Sequence, residues 1–435
     1  MHSRRRAPTL PAVDISITTL ENFWLRKAVA VTGGGEIAGD AASALERLRP
    51  AVRRVSDLFT TERPAAGAFP DYAADPALLA AYGLFFFPQS FERARIALDY
   101  VTRFREWRPA PPAGRPARVL DLGSGAGPCG LAAAKTLVEL AAGNGVHLTA
   151  FDHSPAALAA LREIVATTGG GIVKTETVAA DLRRACAALD ALPPQDLIVA
   201  GFVANEIFGA DAAGLRAWLD RLCAKLAPRG LLLVLEPALR DCAFALENAA
   251  SALAAEGRRH RWAPEFAERP PVSPLKAEDE ARHPHEVRRW SPPASLEFLN
   301  RHLFREIGVL KFCYAAFANE PPPPVAPRDA AGVPLLALRL VSPLDIQKAR
   351  LVCAVSDDAR RRRFTLEIPT RGLAKRAVKD LAAFWERGDI LAVTPAAMRE
   401  IGGTGGGDEG GGGGALFRVA AGDLQTLYRL QAARS

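Results

Sequence analysis

Val119-Leu120-Asp121-Leu122-Gly123-Ser124-Gly125-Ala126-Gly127-Pro128 is the stretch that decides how the rest of the chain is read. Its start, apolar apart from Asp121, has the pattern of a short buried strand. Glycines then alternate with small residues, and Pro128 suits the first turn of a helix. Glycine at 123 and 125 permits positive φ and lets backbone N–H groups come close to a bound molecule. A carboxylate at the strand end, Asp121, gives nothing to a phosphate, whereas a cationic ligand gains from it. Outward from this turn, short apolar strands are expected at 118–122, 146–151, 196–202 and 230–235, with Ala- and Leu-rich helical stretches between them. Strand–helix alternation at this spacing predicts a parallel sheet with helices on both faces.

Two further carboxylates extend the pattern. Asp152 ends the next strand, in Leu148-Thr-Ala-Phe-Asp152, where an acidic residue accepts hydrogen bonds from both ribose hydroxyls of a bound nucleoside. Ser154 and Pro155 follow as an N-cap and first-turn pair. Asp181 sits where a third strand would end, within reach of an adenine amino group. Each aspartate alone is more often a helix cap. In this order, behind Asp121, Gly123, Ser124, Gly125 and Gly127, they point to S-adenosylmethionine (SAM), whose amino group and sulfonium are positive.

The flanking regions read differently. Helical spacing is present at 41–55, from Pro76 onward and at 90–107, and the Pro-rich run 109–116 breaks it. After Glu236 the rhythm is lost: 258–293 is polar and irregular, and Pro321–Pro324 is stiff. Strand candidates then recur at 335–341, 350–355 and 364–368. The glycine run 402–414 reads as a disordered insertion, and 423–433 as a short helix. The expected organisation is an N-terminal helical region (1–110), a Rossmann-like α/β domain (111–334) and a small β-rich basic module (335–435).

Composition narrows the setting. Of 435 residues 49% are hydrophobic and 24% charged, the balance of a soluble globular protein, and no apolar run is long enough to cross a bilayer. Arg4-Arg5-Arg6 has no apolar segment behind it, which argues against a secretory leader. Six scattered cysteines suit a reducing, cytoplasmic compartment and no disulfide framework. The net charge is +7, and between Arg339 and Arg387 twelve Lys and Arg stand against six Asp and Glu. That stretch, with its run Arg360 to Arg363, has the electrostatic footprint of phosphate-backbone contacts or of a solvated face.

Several motifs carry a more specific resemblance. They are Leu84-Phe-Phe-Phe-Pro-Gln-Ser-Phe-Glu-Arg93, Asp196-Leu-Ile-Val-Ala-Gly-Phe-Val-Ala-Asn-Glu-Ile207, His285-Glu-Val-Arg-Arg-Trp-Ser-Pro-Pro293, Leu310-Lys-Phe312 and Arg387-Gly-Asp389. Together with the glycine turn they resemble the methyltransferase-like small-ribosomal-subunit family, mitochondrial ribosome assembly factors and their bacterial relatives. The likeness runs from about residue 80 to 395. It implies a class I SAM-dependent methyltransferase fold and association with small-subunit ribosomal RNA. Family members carry four cluster-ligating cysteines between the last sheet strand and the Trp-Ser-Pro-Pro motif. Here 258–293 contains no cysteine. Glu265, His283 and His285 cannot supply four thiolates, and two histidines fall short of a closed zinc site. The expectation is therefore no iron–sulfur cluster and no metal, with Trp262, Trp290 and prolines holding this loop.

Catalysis is less legible. Methylation of an exocyclic amine usually uses an Asn/Asp/Ser-Pro-Pro-aromatic motif after the fourth strand, where this chain reads Val203-Ala-Asn-Glu-Ile-Phe208. Trp290-Ser-Pro-Pro293 lies far downstream and suits a fixed turn. Cys129 reads as a small packing residue. Asn205 and Glu206 are the polar pair at a strand end, suited either to substrate or to capping the next helix. The functional readings are a methyltransferase acting on or beside small-subunit RNA and a non-catalytic assembly factor with a structural SAM site. A small-molecule methyltransferase is disfavoured by the basic module.

Overall fold

Among the described residues, four α-helices precede the first strand: α1 (Ile17–Val31), α2 (Ala41–Phe59), α3 (Pro76–Phe85) and α4 (Phe87–Asp99). The computed structural model describes residues 13–33, 41–66, 69–140, 144–184, 186–264, 283, 285–357, 362–403 and 415–429. Ser16 caps α1 through the Thr19 N–H, and the Asp75 carboxylate caps α3 through the Ala77 and Leu78 N–H groups. Each cap satisfies donors that a helix start leaves without partners. The single helix expected over 90–107 instead begins at Phe87, with Pro88 in its first turn, and passes into a π-turn over Tyr100–Phe104. Tyr100 and Phe104 there pack on Tyr428 from the far end of the chain.

The alternating region follows as β1 (Ala117–Leu122), α5 (Pro128–Leu140), β2 (Val146–Asp152), α6 (Pro155–Thr168) and β3 (Val173–Ala179). It continues through α7 (Ala187–Asp190), β4 (Gln195–Gly201), α8 (Ala204–Phe208), α9 (Ala212–Cys223), β5 (Leu226–Pro237) and α10 (Arg240–Ala255). Then come β6 (His260–Ala263), β7 (Glu286–Arg289), α11 (Ala294–Asn300) and β8 (Val309–Ala318). The sheet order is β3-β2-β1-β4-β5-β8, with β6 and β7 both on β8. The first five strands are parallel, while β8 runs antiparallel to β5. Side chains divide by the two-residue strand period. Val119, Val199 and Leu233 join the core under α1–α6, and Leu120, Ile198 and Leu232 join the core under α9 and α10.

A second sheet is built from β9 (Leu336–Leu340), β10 (Asp345–Gln347), β11 (Arg350–Asp357), β12 (Arg362–Pro369), β13 (Ile390–Val393), β14 (Arg399–Gly403), β15 (Ala415–Arg418) and β16 (Gln425–Tyr428). Helix α12 (Lys375–Phe384) lies between β12 and β13 in the chain. The helix expected over 423–433 is a correction: 425–428 is strand β16, after a single 3-10 turn at Ala421–Asp423. Antiparallel pairing with β13, and a Tyr428 hydroxyl that donates to Asp99, outweigh the local helical pattern. Residues 430–433, Glu265, Arg360, Arg361 and most of the glycine run lie outside the described residues.

Buried charge joins the two sheets. Glu286 of β7 is bracketed by Arg288 at 2.9 Å and by Arg339 of β9. Arg288 also donates to the Arg387 carbonyl and lies 3.8 Å from Asp389, which Arg429 approaches at 3.3 Å. Arg387 Nη2 donates to the His283 carbonyl at 2.9 Å. Gly388 adopts φ +93°, and a Cβ there would run into Glu286 and Arg288, so the backbone passes where only glycine fits.

Candidate functional site

At the carboxyl ends of the parallel strands, the loops after β1, β2 and β4 converge on one cavity of about 430 Å³. Open α/β sheets place ligands at this edge, where the strand order reverses. The turn after β1 is as the glycine spacing requires: Gly123, Gly125 and Gly127 adopt φ of +65°, +52° and +87°. Their roles differ. A Cβ at Gly123 or Gly127 would run into Val203 or Leu161, so these two serve close packing. A Cβ at Gly125 would meet nothing closer than the Tyr82 hydroxyl at 3.9 Å, and this glycine faces the cavity.

The aspartates separate in the same way. Asp152 lies in the cavity wall, where Oδ2 accepts the Gly125 N–H at 2.7 Å and Oδ1 accepts the Ser154 N–H at 2.8 Å. Burial raises its carboxyl against the pull of these two donors. Asp121 is buried beneath the turn and is not part of the wall. Its Oδ2 accepts the Gly130 N–H at 2.9 Å, fixing the start of α5 to β1. Burial pushes that carboxyl up to about 8, and among the described residues its Oδ1 has no partner. Asp181 stands in the wall, two residues past the end of β3, gripped by Arg183 through two contacts of 2.8 Å. Hydrogen bonding to Arg183 brings its carboxyl down to about 2.

Asn205 and Glu206, on α8, part company. Asn205 is fully engaged: Nδ2 donates to the Phe202 carbonyl at 2.9 Å and to Glu236, while Oδ1 accepts from Arg63. Glu236, at the end of β5, also accepts the Ala204 and Asn205 N–H groups, so it anchors the start of α8. Glu206 faces the cavity, and burial pushes its carboxyl up to about 7 although Arg63 opposes the shift. Cys129 is buried with its sulfur packed where a Cβ at Gly201 would fall.

The roof is a part of the site that strand-and-turn reasoning missed. It comes from the N-terminal region, with Phe59, Tyr72, Tyr82 and Phe86 forming one aromatic cluster with centroids 5.0–6.4 Å apart. Burial pushes both tyrosine hydroxyls well above their usual value. Arg63 and Arg93 enter beneath it, Arg93 lying 5.6 Å over the Phe202 ring. Burial lowers the Arg93 guanidinium to about 10, still charged at neutral pH. Arg93 closes one of the motifs quoted above, but nothing in its local sequence marks it as cavity-facing.

Trp262 of β6 donates its Nε1–H to the Glu320 carbonyl, and Trp290, just past β7, donates its own to the Ile307 carbonyl. His283 and His285 stack with centroids 4.4 Å apart. Among the described residues no group of three or more His, Cys, Asp or Glu converges as a metal site would. Nor is any described helix long and apolar enough to cross a membrane.

Sheet order, the antiparallel β8 and the glycine turn define a Rossmann-like α/β architecture. No family model matches the sequence, and no curated protein does. Solved structures resemble it distantly. Precorrin-6y C5,15-methyltransferase from Geobacter metallireducens is 10% identical, with 60% of this chain and 95% of that one covered and a TM-score of 0.30. A Listeria monocytogenes protein described as a class I SAM-dependent methyltransferase is 13% identical over 71% and 91%, with a TM-score of 0.35. An rRNA methylase from Streptococcus thermophilus is 12% identical over 52% and 94%, with a TM-score of 0.24. At these scores the likeness adds nothing to what strand order and turn already say.

Proposed function

We propose that this protein binds SAM in the cavity beside Gly125 and transfers its methyl group to RNA of the small ribosomal subunit. The observation that carries the reading is the joining of the Gly123–Gly127 turn and Asp152 in one cavity at the strand-order reversal. The residues present fit the cofactor. Gly125 leaves its side open, and each Asp152 oxygen, having accepted one N–H, keeps a lone pair for a ribose hydroxyl. Asp181 and the adjoining Leu182 line the end suited to adenine, and Arg93 supplies a buried cation for a carboxylate. Bound SAM would supply a methyl on a sulfonium, open to displacement by a nucleophilic atom of the substrate.

The chain's own contribution is placement. Asp121, Glu236 and Asn205 hold the two loops that flank the cavity, and the aromatic cluster forms part of its wall, so orientation supplies most of the rate. Glu206, poised near neutrality, is the group able to take up a proton or hold an amine there. The ribosomal substrate rests on the motif resemblance and on the excess of basic residues.

Transfer of labelled methyl from SAM to isolated small-subunit RNA tests the proposal. Incorporation by the parent and its loss in Asp152→Ala are expected. Retained SAM binding without any transfer would replace it with a non-catalytic assembly role.

A further inference from the structure

The exposed aromatic at the turn between α11 and β8 is unlike any other apolar side chain described. Phe304 is 89% exposed and adopts φ +52°, a left-handed conformation that bulky residues rarely take. The turn is built to hold it there. The Asn300 side chain accepts the Arg305 N–H at 3.0 Å and donates to the Arg305 carbonyl at 2.8 Å, while the Phe304 N–H donates to the Asn300 carbonyl at 2.9 Å. Leu303 packs against the main core, and Arg305 reaches Asp57 at 3.6 Å and the Thr60 hydroxyl at 3.4 Å. Both neighbours are tied down and the ring between them is pushed into solvent. Such backbone conformations persist where surrounding structure imposes them, and they cluster at functional positions.

Its surroundings say what it meets. Thr60 and Lys311 both line the cavity, so the turn stands at the mouth. Arg301 is exposed with its guanidinium over the Phe298 ring, and exposed Arg53 donates to the His302 carbonyl. The nearby acids are drawn off, Asp57 by Arg305 and Glu306 by Lys311 at 2.7 Å. A bare ring between arginines matches single-stranded nucleic acid, with a base stacked on the ring and phosphates on the cations.

We infer that Phe304 is a stacking platform for an unpaired base of an RNA strand, with Arg53 and Arg301 holding the adjoining phosphates, beside the cavity mouth. The inference rests on the RNA-methyltransferase reading and adds to it the point where the strand is held.

Fluorescence anisotropy of the full chain with a labelled single-stranded RNA oligomer, and with the same sequence as a duplex, tests it. Phe304→Ala should weaken single-strand binding about 5- to 150-fold with little change in salt slope, since stacking and not a phosphate contact is lost. Duplex binding should change less. Arg53→Ala with Arg301→Ala should instead flatten the salt slope. Phe304→Gly, which suits the left-handed backbone, controls for folding: it should melt no lower than the parent while binding as weakly as Phe304→Ala. SAM affinity should stay the same throughout. If the parent binds RNA and Phe304→Ala binds it equally well, the platform is refuted while the RNA reading stands. A parent that binds no RNA, or only anionic phospholipid vesicles, overturns both.

Discussion

Asp152 meets two demands at once, since the carboxylate that holds the turn in place is also the one offered to the ribose. Its contacts to Gly125 and Ser154 exist without any ligand. Asp152→Ala therefore removes cofactor hydrogen bonds and loosens the glycine turn. SAM affinity should fall by about 3–6 kcal/mol, the two charge-assisted bonds to the ribose contributing roughly 1.5–3 each. Calorimetry finding an unchanged affinity would contradict the assignment. Glu206 makes a pH-dependent prediction. Its carboxyl is raised from 4.5 to about 7, so the unfolded chain ionises first as pH rises. The stability it contributes is complete below 4.5 and is lost on approaching 7. Glu206→Gln removes this loss, so urea unfolding should show the variant gaining on the parent between pH 5 and 8. A constant difference across that range would count against a raised carboxyl. Much of this site was legible beforehand: Gly123, Ser124, Gly125, Asp152 and Asp181 all reach the cavity, and Glu206 with them. Gly127 and Asp121 lie behind it, because strand-end motifs encode the turn's packing as well as its ligand. Arg63, Arg93, Tyr72 and Tyr82 were illegible because only tertiary folding lays the N-terminal helices over the sheet.

Helix α8 shows why the Asn205–Glu206 pair resisted reading. Five residues long, it has no side-chain cap and takes its start from Glu236, thirty or so positions away in the chain. Glu236→Ala would orphan the Ala204 and Asn205 N–H groups and take one of its two acceptors from the Asn205 amide, each buried donor left unpaired costing about 1–3 kcal/mol. Equilibrium unfolding should register a loss of about 3 kcal/mol or more, and Glu236→Gln, which keeps one acceptor, a smaller one. Equal losses would mean that the carboxylate does not hold α8. The same distinction between local and distant control runs through the whole fold. β1, β2, β4 and β5 could be placed from their apolar runs because central parallel strands are buried on both faces. β10, β13, β14 and β16 are short, and each gains its identity from a partner, as Gln425–Tyr428 does by pairing with β13.

For the molecule as a whole, a charge count overstates the basic surface of the second sheet. Of the twelve cations between Arg339 and Arg387, Arg339 is spent on buried Glu286, Arg350 pairs with Glu367 at 2.7 Å, and Arg387 is buried against His283. These residues attach the sheet or hold its strands together, leaving Arg371, Lys375, Arg376 and Lys379 among its exposed cations. The attachment makes the final prediction. Glu286 is buried, which alone would raise its carboxyl, yet Arg339 and Arg288 outweigh that and hold it below its usual 4.5. A depressed carboxyl contributes stability above the unfolded value and loses it as pH falls through the folded one. The join between the sheets should therefore weaken below about pH 4.5. At neutral pH, Glu286→Ala would take from two buried guanidinium groups the carboxylate they share, a change that typically costs about 3–5 kcal/mol. Because Arg288 and Arg339 belong to different sheets, that cost falls on the contact between them. Scanning calorimetry should resolve the parent's melting at pH 7 into two transitions in the variant, and draw the parent itself toward two as pH is lowered. One unshifted transition in Glu286→Ala would mean that apolar packing joins the sheets, with Tyr428 against Tyr100 and Phe104 as its centre.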